Sequence, residues 1–362
     1  MNNSNTELKE NNKKKEIHKT KVVQAKVVRE PTITETEKFI LSTVKGQNEQ
    51  VRKIVTASYK SICLNIKSNV LIIGKSGTGK TEILKQLAKK LSRPCITVDA
   101  NEFTQEGYYG RSVSEIILEL LEEAKYDIEK VKKGIVIIDE IDKKATRAVG
   151  NERDVAGKGV LDALLKLIEG MTIKVELFQK DSIKTAEIKT DTIMFFFAGA
   201  FSGIDEIVKA RIHEATGIGF SSDKDSKKTK DLDTKIKKKD LIKFGLSEEF
   251  IGRIDTIVQM NELSEEVLVD ILHNSRASKL KQYVKQLKTY GVTTRYTAIQ
   301  IKAFAKKAKR ESEETGAREL ANILSYVFEK ICYDVMSKPK RTYSELIFLD
   351  GIEDDNTRYL LK

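Results

Sequence analysis

A central parallel sheet with helices on both faces, followed by a smaller and mainly helical C-terminal domain, is the α/β fold this sequence predicts, and three stretches predict it. Residues 69–84, NVLIIGKSGTGKTEIL, join an apolar run to a glycine-rich loop and then to Ile83, Leu84, Leu87 and Leu91 at helical spacing. Residues 134–142, GIVIIDEID, form an apolar run that ends in paired carboxylates. Residues 191–200, DTIMFFFAGA, are apolar at nearly every position, as a strand must be when helices cover both faces of a parallel sheet.

The chain has 362 residues, enough for two domains, and 40% of them are hydrophobic. No apolar run is long enough to span a membrane, and the Asn- and Lys-rich start has no apolar signal core. The reading is therefore a cytoplasmic protein. Cys63, Cys95 and Cys332 are scattered among apolar residues and read as reduced core cysteines. His18, His213 and His273 have no metal-site spacing. The net charge is +11, and residues 276–310 contain no acid. That block reads as a solvated helix face, because its lysines alternate with an apolar stripe; a nucleic-acid contact is the less favoured alternative.

In order, residues 1–33 are a polar, basic tail with little to bury. Residues 34–60 are helical, interrupted at Lys45-Gly46-Gln47. The strand–loop–helix at 69–84 follows, then a strand at 95–98 and a loop containing Gly107-Tyr108-Tyr109-Gly110. Residues 112–131 read as one amphipathic helix, 160–168 as another, and 172–190 as a hairpin or an irregular insertion. A helix at 204–212 precedes a long polar loop, 216–240, of the kind that is usually functional or disordered. A strand at 256–261 ends the larger domain, 34–262. Ser264 caps the first helix of the smaller one, 263–362. There the periodicity gives helices over 265–288, 298–310 and 316–336 and a last strand at 345–349.

The loop at 74–81 fits G-x-x-x-x-G-K-[ST], a phosphate-binding P-loop in its strand–loop–helix context. Ser76, Gly77, Thr78 and Gly79 turn backbone N–H groups around a polyphosphate, and the helix start adds positive potential. Lys80 reaches the β- and γ-phosphates and Thr81 ligates Mg²⁺. Asp139 holds the same ion through its water shell, and Glu140 polarises the attacking water as general base. Asp142 and Lys143 make structural contacts. ATP and Mg²⁺ are the expected substrate and ion.

The chain resembles the ClpX family, AAA+ protein unfoldases of the Clp/HslU branch. The P-loop, IVIIDEID, GYYG, LLKLIEG, TGIGF, LSEEFIGRID and TGAREL stand in that family's order between residues 44 and 349. The resemblance implies an AAA+ large domain and a small helical domain with ATP between them. It implies that Val44, in Val44-Lys45-Gly46-Gln47, lines the adenine pocket, that Arg253 is an arginine finger reaching a neighbour's γ-phosphate, and that Arg318 is sensor 2. A guanidinium suits both roles, being permanently charged and forked; without the resemblance either arginine reads equally as a surface ion pair. It further implies that Tyr108, with Tyr109, grips a translocating polypeptide, that 153–160 form a second pore loop, and that Ile218-Gly219-Phe220 docks on a ClpP-like peptidase.

Departures from the family pattern are expected as well. No zinc-binding N-terminal domain is recognised, nor a basic pore-entrance loop within 172–190. Residues 197–200 offer no Asn or Thr as sensor 1, and the family's further arginine after Arg318 is replaced around Ala321. The implied activity is an ATP-driven unfoldase or remodeller, a homohexamer acting on polypeptides. A standalone disassembly chaperone and an AAA+ nucleic-acid motor are the alternatives; GYYG argues against the motor, since such pores track phosphates with basic residues.

Overall fold

The computed structural model describes residues 29–103, 111–145, 155–179, 182–216, 234–311, 316–349 and 358–362. Five parallel strands carry the larger part: β1 (Val70–Ile73), β2 (Cys95–Asp99), β3 (Ile135–Asp139), β6 (Met194–Gly199) and β7 (Thr256–Gln259), in the order β2-β3-β6-β1-β7. Between β3 and β6 in sequence lie β4 (Thr172–Gln179) and β5 (Ser182–Lys189), which pair antiparallel; the open choice at 172–190 resolves as a hairpin. Residues 32–362 form one compact unit, and of 1–31 only the last three are described.

Strand alternation divides the core in two. Leu71, Ile73, Val136, Ile138, Phe195 and Phe197 pack on one face of the sheet, and Val70, Ile72, Ile135, Ile137, Met194 and Phe196 on the other. Every residue of β1 and β6 is buried. A third apolar cluster lies wholly within residues 263–348. It is built from helices Glu265–Asn274, Lys279–Thr289, Ala298–Glu311 and Gly316–Met336 around Phe304, Phe328 and Phe348.

Several local expectations are corrected. The helix predicted over 112–131 is Glu115–Glu123, with a separate turn at Ile128–Val131. Lys125 and Tyr126 have φ of 56° and 60°. Tyr126 N donates to Leu121 O and Lys125 N to Glu122 O, a Schellman end built without the usual glycine. The helix predicted over 265–288 breaks after Asn274, and Ser278 caps its successor by accepting from Lys281 N. The helix predicted from 160 begins at 155. Two short strands escape the periodicity: β8 (Thr293–Arg295) and β10 (Tyr359–Leu361) flank β9 (Glu345–Phe348) in a second sheet. The cysteines are free, but Cys63 is exposed and the other two only half-buried. Among the described residues no helix is long and apolar enough to cross a membrane.

Candidate active site

At the C-terminal end of β1 the chain must leave the sheet within one residue. Gly74 N donates to Gly199 O at 3.1 Å, and a Cβ on Gly74 would lie 2.6 Å from Met260 Cβ. Gly77 and Gly79 then adopt φ of 74° and 97°, open to glycine at little cost, and helix Lys80–Leu91 begins. The Lys80 ammonium donates to Gly74 O and Lys75 O of the loop itself. Burial lowers its pKa from the ordinary lysine value. The negative charges of Asp139 and Asp142 oppose that shift, and the positive charge of Arg318 adds to it.

Parallel register places the acids beside the loop. Asp99 pairs with Asp139 across β2 and β3, and Thr81 Oγ1 donates to Asp139 Oδ2 at 3.1 Å. Glu140 follows in the left-handed region, φ 57°, with its N–H donating to Asp139 Oδ1. That turn leaves the Glu140 carboxylate exposed, where Asn101 Nδ2 donates to it at 2.7 Å. Asp142 is buried and accepts from Ala200 N and Phe201 N, both at 3.2 Å. The carboxylate thus fixes the end of β6 through backbone alone. Gly199 is required there, since a Cβ would meet Asp142 Oδ1 at 2.5 Å.

Beside the loop lies a cleft of about 230 Å³, lined among others by Val44, Gly77, Gly79, Leu272, Leu320 and Leu324. It joins the P-loop to the helical cluster at 263–348. Ala317 N donates to Gly77 O at 3.3 Å, and Arg276 N to Ser42 O. Gln47, fully buried, exchanges hydrogen bonds with Asn261 and so fixes the segment that carries Val44. Ser76 faces a second cavity across the loop, lined also by Lys75, Asp205 and Glu262. The donor set fits a magnesium nucleotide: a hydroxyl and a carboxylate 3.1 Å apart, an ammonium held by loop carbonyls, and an apolar-walled cleft next to them.

Residues 65–257 match the model of an AAA domain (Cdc48 subfamily). The chain is 37% identical over 328 residues to the "ATP-dependent Clp protease ATP-binding subunit ClpX" of Treponema denticola, covering 84% of this chain and 77% of that protein. The chain belongs to the ClpX family of AAA+ ATPases.

In this ClpX-family chain the two arginines singled out from the sequence stand in different places. Arg318 is exposed in the first turn of helix Gly316–Met336, close enough for its charge to act on Lys80. Arg253 precedes β7 at the opposite edge of the sheet. There its guanidinium forms an exposed ion pair with Glu169, Nη2 to Oε1 2.7 Å, as the surface-pair reading expects. Tyr108, Tyr109, Ile218, Gly219 and Phe220 lie outside the described residues, as do 153 and 154 of the proposed second pore loop, 153–160. At the boundary of the first of these stretches Phe103 bridges Arg111, whose guanidinium pairs with Glu102, Glu115 and Glu119. Sequence reasoning missed Asn101 and Gln47. Both lie in recognised segments, but nothing local says that register aims Asn101 at Glu140 or that Gln47 faces Asn261.

Proposed function

We propose that this chain is an ATP-hydrolysing, ring-forming protein unfoldase that threads polypeptide through a central pore and feeds a ClpP-like peptidase. The observation that carries the reading is the gathering of Lys80, Thr81, Asp139 and Glu140 at one edge of the sheet while Arg253 stands at the other. β1 and β7 run parallel in register, Val70 against Thr256 and Ile73 against Gln259. At about 3.3 Å per residue, the three steps from Val70 to Ile73 of β1 separate those edges by roughly 10 Å. An arginine side chain is shorter than that, which keeps Arg253 from its own P-loop and supports its assignment to a phosphate on a neighbouring subunit.

In this reading the domains are 34–262 and 263–362, with a basic tail at 1–33, and ATP occupies the cleft between them. Val44 lines the adenine side. Ser76, Gly77, Thr78 and Gly79 offer backbone N–H groups to the phosphates, and the Lys80 ammonium exchanges loop carbonyls for phosphate oxygens, a stronger charge-assisted bond. Thr81 and Asp139 would hold Mg²⁺, which would supply charge neutralisation at the phosphates. Glu140 accepts a proton from the attacking water, and Asn101 sets the carboxylate's orientation. Arg318 in cis and Arg253 in trans stabilise the charge that develops on the transferred group. Only a ring, taken as a homohexamer in the cytoplasm as is typical of the family, supplies every site with a finger.

Tyr108 and Tyr109 are assigned to gripping substrate and Ile218-Gly219-Phe220 to docking the peptidase. Aromatic rings hold many side-chain types without sequence preference, and apolar anchors in pockets dominate docking energy, at about 2 kcal/mol or more each. The test is an unfolding assay on a fluorescent tagged protein, with and without ClpP-type peptidase. Tyr108→Ala should keep ATP hydrolysis and lose unfolding. Phe220→Ala should keep both and lose only degradation. Normal unfolding by Tyr108→Ala removes the threading model, and undiminished degradation by Phe220→Ala makes a standalone remodeller the better account.

A further inference from the structure

The ion pair that occupies Arg253 has a partner fixed as firmly as the arginine itself. Glu169 stands at the C-terminal end of helix Val155–Gly170. Thr190, fully buried, donates from its hydroxyl to Leu167 O and accepts from Met171 N. Gly170, at φ 108°, stops the helix against Asp191. Leu164, Leu167 and Ile168 anchor the same helix in the core. On the other side, Asn69 grips the backbone around Arg253. Its N–H donates to Asp255 Oδ2 at 2.8 Å, its amide Nδ2 donates to Arg253 O at 2.9 Å, and its carbonyl accepts from Asp255 N and Thr256 N. Phe250, one turn earlier, packs edge-to-face on Phe197 at 4.9 Å. Both backbones are therefore held, and only the two side chains between them, 59% and 38% exposed, are free to rearrange.

We propose that Glu169 is a positioning residue for Arg253: its carboxylate holds the guanidinium in the free subunit and releases it to the neighbour's phosphate on assembly. This rests on the reading of Arg253 as a finger acting in trans. Three physical points support it. An acid in the last turn of a helix meets the negative end of the helix dipole, so Glu169 is poorly placed except as a partner for a cation. An exposed single-contact pair is weak and easily exchanged, whereas an arginine on a phosphate makes two parallel charge-assisted bonds. The helix that ends in Glu169 also takes in residues 155–160 of the proposed second pore loop at its start. A shift of that helix by substrate would change how tightly the finger is held.

The test uses the full chain and reads ATPase kinetics together with the ATP concentration that half-assembles the ring, followed by sedimentation. Glu169→Gln keeps the shape and removes the charge. It should lower both the KM for ATP and the assembly midpoint by about two- to fivefold, with kcat changed less than twofold and thermal stability unchanged. Glu169→Asp should retain near-wild-type values. In an Arg253→Ala background the same Glu169→Gln change should leave the assembly midpoint where it was, because no guanidinium remains to release. If Glu169→Gln leaves the KM and midpoint unchanged, or shifts the midpoint equally with and without Arg253, the positioning role is wrong while the finger reading stands. If Arg253→Ala alone turns over ATP at the wild-type rate, the finger reading fails and takes this inference with it.

Discussion

At the C-terminal edge of the five-stranded sheet the chain's own groups satisfy one another. Thr81 donates to Asp139, Asn101 to Glu140, and the backbone of Ala200 and Phe201 to Asp142. At the N-terminal edge Asn69 secures the backbone of Arg253 just as firmly, yet the Arg253 side chain turns outward to Glu169. One edge is a preassembled receptacle; the other presents a cation on a rigid mount, paired only loosely with an exposed acid. On the proposed reading that difference divides catalysis between the two edges, with a second subunit bringing them together.

The largest expected effects fall at the first edge. Glu140→Gln should reduce ATP turnover by about 100-fold or more while nucleotide binding persists, because Lys80, Thr81 and Asp139 are untouched; steady-state ATPase beside a fluorescent-nucleotide titration checks it. Near-normal turnover would remove the general-base assignment. Lys80→Ala should instead weaken binding, by about tenfold or more for the loss of a charged hydrogen-bond donor, seen in the same titration. Equal affinity would mean that the ammonium stays on the loop carbonyls with nucleotide present. A smaller effect sharpens the claim that this edge is preassembled. Gly199→Ala would drive a methyl into Asp142 and Phe201, and overpacking of that kind costs about 1–3 kcal/mol. Its melting temperature should fall, and an unchanged melt would show that the end of β6 yields.

Much of the first edge was legible in the sequence because its signals are local. A P-loop declares itself within eight residues, and the apolar run before Asp139 and Glu140 forms a strand wherever it sits. The covered sheet follows from DTIMFFFAGA, whose β6 indeed lies centrally, between β3 and β1. What escaped depends on partners distant in sequence or on unusual backbone. The end of helix Glu115–Glu123 uses Lys125 and Tyr126 in the left-handed region, where composition offers no glycine to mark it. β8 and β10 are three residues each and are strands only because β9 pairs with both. Asn101 acquires its place from the pairing of β2 with β3. The separation of Arg253 from Lys80 is likewise topological: the order β6-β1-β7 and the parallel register create it, and no motif around either residue records it.

The central claim, that each site is completed by the neighbour's Arg253, is tested most directly by mixing two crippled subunits. Arg253→Ala has an intact receptacle and no finger; Lys80→Ala has the finger and a damaged receptacle. ATP turnover is measured for each alone and for mixtures over a range of ratios, at concentrations that support ring assembly. The account predicts that both are nearly inactive alone and that mixtures regain turnover, greatest at intermediate ratios and lost on dilution. Mixtures no more active than the sum of their parts, or an Arg253→Ala protein with undiminished turnover, would contradict it.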